Sequence, residues 1–211
     1  MDMVRKHTSY EVHPVCLSNV PAEEFRDDIE IIPLQHDWPI WWAKIEMFNP
    51  DLPLQDRVLS LDIDQIVVGD LDELIEYPVP IGIMNYWSYS TYASAEIAIR
   101  KTREKWKSIL IPKYSSDAII FDKGMCAPIY DQFNRDIMLL YYGDQDWIAA
   151  CLGPNLPKFP KEWGRKMKKR DRGDGSIKFG PVKLLACHPI KNHQMLENGY
   201  IYMDQLWRGI T

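Results

Sequence analysis

Short apolar runs alternate with longer, helix-spaced segments along this chain. Residues 13–17 (HPVCL), 30–32 (EII), 57–61 (RVLSL), 66–68 (IVV), 80–84 (PIGIM), 118–121 (AIIF) and 183–187 (KLLAC) have the brief apolar character of strands. Helical spacing marks 41–48 (WWAKIEMF), which stops at Asn49-Pro50, and 94–110, with a basic face of Arg100, Lys101, Arg103, Lys105 and Lys107. It also marks 128–141 and 145–151, the latter with Asp144 as N-cap, and residues 2–8 read as the tail of a further helix. Strands interleaved with helices predict an α/β sheet with helices on both faces, in which ligands bind at the carboxyl ends of strands. There is no repeat or low-complexity tract, so residues 1–211 are expected to form a single domain.

Composition narrows the classes. Apolar residues make up 46% and charged residues 26%, which excludes disorder. No apolar run approaches the roughly 18–20 residues of a membrane helix, and the start MDMVRK is too polar for a secretory signal. Cys16, Cys126, Cys151 and Cys187 form no CxxC pair and read as buried thiols, placing the chain in a reducing cytoplasm. The eight Trp residues suit sugar or base stacking as well as core filling.

Charge is uneven. The net charge is −5, yet residues 161–172 (KEWGRKMKKRDR) carry net +5 between Pro157/Pro160 and Gly173/Gly175. A basic stretch on an acidic body makes a poor general nucleic-acid binder and reads as a mobile, solvated loop or a local anion site. Residues 62–76 carry six acids and no base.

The sharpest chemical signal is Arg57-Val-Leu-Ser-Leu-Asp-Ile-Asp64, an apolar strand running into two carboxylates. On an extended backbone, positions i and i+2 point the same way, so Asp62 and Asp64 are expected to converge. Two such carboxylates repel unless a cation lies between them, and Mg²⁺ or Mn²⁺ is the hard ion that suits them. A surface turn rich in Asp is the plain alternative.

The stretch continues as Gln65-Ile-Val-Val-Gly-Asp-Leu-Asp-Glu-Leu74, and the whole of 57–74 resembles the metal-site region of glycosyltransferases of the GT-A fold, most closely the glycogenin-like branch (glycosyltransferase family 8 and relatives). WWAKIEMF is similar to that family's helix bearing a donor-binding Lys or Arg, here Lys44. Gly143-Asp144-Gln145-Asp146 resembles its Asp-Gln motif near the reacting sugar, and Leu184-Leu-Ala-Cys-His188 its strand ending in a metal-binding His. The Asn-Ser-Gly-Val-type motif corresponds to Ser115-Ser116-Asp117-Ala118, without the Asn and Gly, and Lys191 follows His188 more closely than the family's Lys does.

The resemblance implies a Rossmann-like mixed sheet flanked by helices, N-terminally truncated because the first nucleotide-binding strand is lacking. It implies metal-dependent, configuration-retaining transfer of a sugar from a UDP- or GDP-sugar to a carbohydrate, lipid-linked or protein acceptor. Asp62, Asp64 and His188 would hold Mn²⁺ or Mg²⁺. Lys44, Asp62, Ser116, Asp117 and Lys191 would bind the donor, and Asp144 and Gln145 would stand at the reacting sugar. Trp41 or Trp42 would pack under the site. Tyr86, Trp87, Tyr89 and Tyr92 would either face an acceptor sugar or pack as core.

Two rivals stay open. One is a degenerate transferase that binds a sugar or partner without turnover. The other is a phosphatase like the haloacid dehalogenases, with Asp62 as nucleophile and Asp64 as acid/base. An EF-hand is excluded, because Ile66 occupies a ligand position and the required Gly is missing.

Overall fold

The computed structural model describes residues 2–84, 115–141, 143–153, 155–167 and 179–186. Strand β6 (Ser115–Asp122) is the axis of the part that carries the site. It lies between β3 (Arg57–Leu61) and β5 (Ile81–Met84), antiparallel to both, with Arg57 opposite Asp122 and Leu61 opposite Ala118. Alternate residues of a strand point to opposite faces. Ile119 and Phe121 therefore enter one core with Trp42, Ile45 and Ile148, while Ala118 and Ile120 enter another with Val67, Leu74, Phe159 and Leu184. Burial on both faces explains why residues 118–121 of β6 read as an unbroken apolar run.

Two smaller sheets hold the other described strands. β1 (Val15–Leu17) pairs in parallel with β2 (Glu30–Ile32). β8 (Leu184–Ala186) lies between β4 (Gln65–Val67), antiparallel, and β7 (Gly164–Lys166), parallel. Among the described residues the α-helices are α1 (Asp2–Lys6), α2 (Asp72–Ile75), α3 (Ala127–Asp131), α4 (Arg135–Leu140) and α5 (Asp144–Leu152). Ile129 of α3 and Ile148 of α5 cover the first face of the β3–β6–β5 sheet, and Val4 of α1 and Leu74 of α2 join the core on the second. The mixed α/β class expected from the chain is the one observed.

Several elements differ from expectation. Residues Ile40–Phe48 form a 3₁₀ helix rather than an α-helix. Trp42, Ile45 and Phe48 line up at three residues per turn and are buried, with Glu46 and Met47 buried beside them. The helix expected over 128–141 is two helices. The chain breaks before Asn134, whose side chain accepts from the amides of Asp136 and Ile137 and so caps α4. The basic stretch expected to be a loop begins with an ordered 3₁₀ turn (Lys161–Trp163) and β7, which pairs with β8. Strand β6 starts three residues before the expected Ala118.

The helix expected at 94–110 and the aromatic group Tyr86, Trp87, Tyr89 and Tyr92 lie outside the described residues. Cys16, Cys126 and Cys151 are free thiols, and burial pushes Cys126 up to about 12 and Cys151 up to about 11. Among the described residues no helix is long and apolar enough to cross a membrane.

Candidate functional site

Antiparallel pairing brings the end of β3 to the start of β6. Leu61 lies opposite Ala118, and one step further the Asp62 amide donates to the Asp117 carbonyl at 2.8 Å. Asp62 from one strand thus meets Ser116 and Asp117 from the other at a single end of the sheet. Two further elements converge there. The 3₁₀ helix supplies Lys44, and α5 begins there with Asp144 and Gln145.

Lys44 is the hub. Its ammonium Nζ lies 2.6 Å from Asp62 Oδ1 and 3.6 Å from Asp144 Oδ2, and it donates to the Ser116 carbonyl at 3.2 Å and to Ser116 Oγ at 3.3 Å. Ser116 Oγ in turn donates to Asp144 Oδ2 at 2.7 Å, and the Ser116 amide donates to Gln145 Oε1 at 3.2 Å. The Ser115 hydroxyl donates to Asp117.

The charges follow from this packing. Burial opposes the Lys44 ammonium, but Asp144 and Asp62 beside it outweigh that and hold it above its ordinary value. Burial pushes the Asp62 carboxyl up to about 6 against the pull of Lys44, with Asp117 and Asp144 adding to the rise. Three carboxylates around one ammonium leave an excess of negative charge, which suits a further cation or the hydroxyl groups of a sugar.

Asp144 does not act as the cap expected for it. Gly143 is the N-cap of α5, no side chain caps the helix, and Asp144 is its first residue. Its buried carboxylate goes instead to Ser116 and Lys44. The extended geometry expected for Asp62 and Asp64 is also not found. The chain turns at 62–65, with Gln65 N–H donating to the Asp62 carbonyl at 3.0 Å, and Ile63 at the tip is 91% exposed. A period-two argument fails there because Asp64 no longer lies on the strand.

Of the expected site residues, the structure gathers Lys44, Asp62, Ser116, Asp117, Asp144 and Gln145. Asp64 is half-buried in the adjoining turn, and His188 and Lys191 lie outside the described residues. Among the described residues no three His, Cys, Asp or Glu side chains assemble into a metal cage. Asp62 and Asp64 each carry the hard oxygen donors that a divalent ion takes, but Asp62 is paired with Lys44 and Asp64 lies off the strand in the turn.

Sequence reasoning passed over the hydroxyl of Ser116 as the link between Lys44 and Asp144. It had left open which tryptophan lies near the site. Trp42 enters the core, whereas Trp41 lies at the start of α5, where a methyl group on Gly143 would come within 3.2 Å of its indole nitrogen.

The fold is similar to that of the glycosyltransferase GlyE of Streptococcus pneumoniae TIGR4, at 14% identity and a TM-score of 0.51, covering 86% of this chain and 49% of that one. Mouse xyloside xylosyltransferase 1, in its apo form, matches at 19% identity over 72% of this chain and 64% of that one, with a TM-score of 0.45. The chain therefore spans about half the length of GlyE. No family model matches the sequence, and no curated protein does.

Proposed function

We propose that this chain transfers a sugar from a nucleotide-sugar, a UDP- or GDP-sugar, to a hydroxyl-bearing acceptor, in the manner of glycogenin-like transferases. The observation that carries this reading is the convergence of Lys44, Asp62, Ser116 and Asp144 at one end of a sheet whose fold is similar to GlyE. The leaving group of such a reaction is a nucleoside diphosphate, which gains negative charge as the sugar–phosphate bond breaks. Lys44, held charged by its carboxylates, presents a fixed positive charge to that group with no reorganisation during the reaction. Asp144, Gln145 and Asp117 offer acceptors for sugar hydroxyls.

A divalent ion would be held by Asp62 and Asp64, with His188 as third ligand, and when bound it would act as a Lewis acid toward the diphosphate. By resemblance the transfer retains anomeric configuration. A second reading, a sugar-binding protein without turnover, is favoured by one observation: the Lys44–Asp62 pair at 2.6 Å already satisfies much of the site's charge internally.

The test is thermal stability with Mn²⁺ and UDP or GDP, followed by assay of diphosphate release from UDP-glucose, UDP-galactose and GDP-mannose. Metal-dependent stabilisation with release supports transfer, and stabilisation without release selects the non-catalytic reading. Hydrolysis of p-nitrophenyl phosphate with no nucleotide-sugar cleavage would replace both with a phosphatase.

A further inference from the structure

We propose that the outer edge of strand β3 is a docking site for an extended apolar segment of a second polypeptide, which adds as a further strand beside Arg57–Leu61. Strand β3 ends its sheet, with β6 on one side. The Asp62 amide donates to the Asp117 carbonyl, and the Lys123 amide to the Asp56 carbonyl. Those two bonds fix the phase of the ladder between them. Val58 and Ser60 turn their backbone groups toward β6, in step with Asp56 and Asp62, and the groups of Leu59 and Leu61 point the other way. Among the described residues no hydrogen bond reaches the N–H or C=O of Leu59 or Leu61. An open row of this kind is a template for another strand.

This edge lacks the usual protection. Sheet edges are commonly blunted by charge, proline or a bulge, and Val58–Leu61 carries none of these. The strand is apolar on both faces instead. Val58 packs against the core that holds Ile119 and Phe121, and Leu59 and Leu61 against the core that holds Ala118 and Ile120. That is the pattern of an interior strand. Arg57–Leu61 is nonetheless half-buried throughout, whereas Ala118–Phe121 of β6 is buried. Strand β1 is in the same condition. Its pairing with β2 uses the backbone groups of Pro14, Cys16 and Ser18, so those of Val15 and Leu17 turn away. Leu17 packs against the same core as Val58.

The surroundings specify the occupant. A strand beside β3 continues a layer that lies between two cores, so its side chains on both faces are apolar. Its ends lie by the exposed Asp56 and by Asp62, so Lys or Arg flanking the apolar run complements them. A second copy of this chain is the poorer fit. Antiparallel pairing of β3 with itself about Leu59 sets Asp56 opposite Asp62 twice, like charge against like.

The experiment is amide hydrogen exchange of the full chain, followed residue by residue by NMR. The chain is measured alone and with the synthetic peptide Lys-Val-Ile-Val-Ile-Val-Lys, N-methylated along one edge so that it does not stack on itself. The expected result is rapid exchange at Leu59 and Leu61 in the chain alone, slowed about tenfold by the peptide, with Val58 and Ser60 unchanged. The same peptide N-methylated along both edges has no effect. Asp56→Lys weakens peptide binding about threefold, by repulsion of the flanking bases. Leu59→Pro, which deletes an outward N–H and leaves the bonds to β6 in place, abolishes the protection at Leu61. Slow exchange at Ser60 reports that each variant is folded. Slow exchange at Leu59 and Leu61 in the dilute chain alone, protection that grows with chain concentration rather than with peptide, or no protection by the peptide overturns the inference. None of these outcomes bears on sugar transfer, which nucleotide-sugar cleavage tests separately.

Discussion

The Ser116 hydroxyl donates to Asp144 Oδ2 at 2.7 Å, and the Lys44 ammonium stands 3.6 Å from the same oxygen. One buried carboxylate is thus shared between a neutral donor on β6 and a charged one on the 3₁₀ helix. Removing either leaves Asp144 short of a partner where water does not replace it. Ser116→Ala is expected to cost about 1–3 kcal/mol in a urea unfolding titration, and Ser116→Thr, which keeps the hydroxyl, substantially less.

Lys44 neutralises Asp62 and Asp144 together, so its loss is the more severe. Lys44→Met is expected to destabilise by about 3–5 kcal/mol at pH 7, because the buried Asp144 and the half-buried Asp62 then lie together without a cation. The same variant is expected to lose nucleoside diphosphate binding. Lys44→Arg should recover little of either, since a planar fork cannot occupy the point between Asp62, Asp144 and the Ser116 carbonyl. Urea titration and calorimetry of all three proteins check this.

The raised Asp62 carboxyl makes a pH prediction. Its ordinary value is 3.8, and in the folded chain it is about 6. Between those values the folded chain holds a proton that the unfolded chain releases. Stability contributed by this group is therefore lost as pH rises from about 4 to about 6. Asp62→Asn removes that component. Its stability relative to wild type should rise between pH 4 and pH 7 in metal-free buffer, as read from urea midpoints, and a difference constant across that range would refute the assignment.

Gly69 is constrained by close approach rather than by its own dihedrals. A Cβ there would come within 2.7 Å of the Val182 carbonyl oxygen and 3.2 Å of the Lys183 Cα, both backbone atoms. Lys183 is itself fixed, donating to the Asp70 carbonyl at 2.7 Å and pairing with Glu73 at 2.7 Å. Gly69→Ala is expected to cost about 1–3 kcal/mol, lowering Tm by about 2–12 °C in a thermal melt.

The strand Arg57–Leu61 and the acidic turn after it were legible in the chain because Val58, Leu59 and Leu61 cluster in a short apolar stretch whose end is marked by charge. Asp62 was legible at the end of that strand, whereas Lys44, Ser116, Asp117, Asp144 and Gln145 were singled out only by the resemblance of their motifs to those of a known family. What each side chain does at the site was not legible. Asp144 looked like a helix cap, and becomes a partner of Lys44 and Ser116 only because the β3–β6 register places Leu61 against Ala118 and directs α5 to the same sheet end. Likewise WWAKIEMF showed helical spacing, but in the folded chain it winds as a 3₁₀ helix against α3 and α5, with Trp42 inward and Trp41 beside Gly143. Sequence determines local propensity and burial pattern. Strand register and the packing of distant elements decide which polar groups meet, because those contacts join segments that no local rule relates.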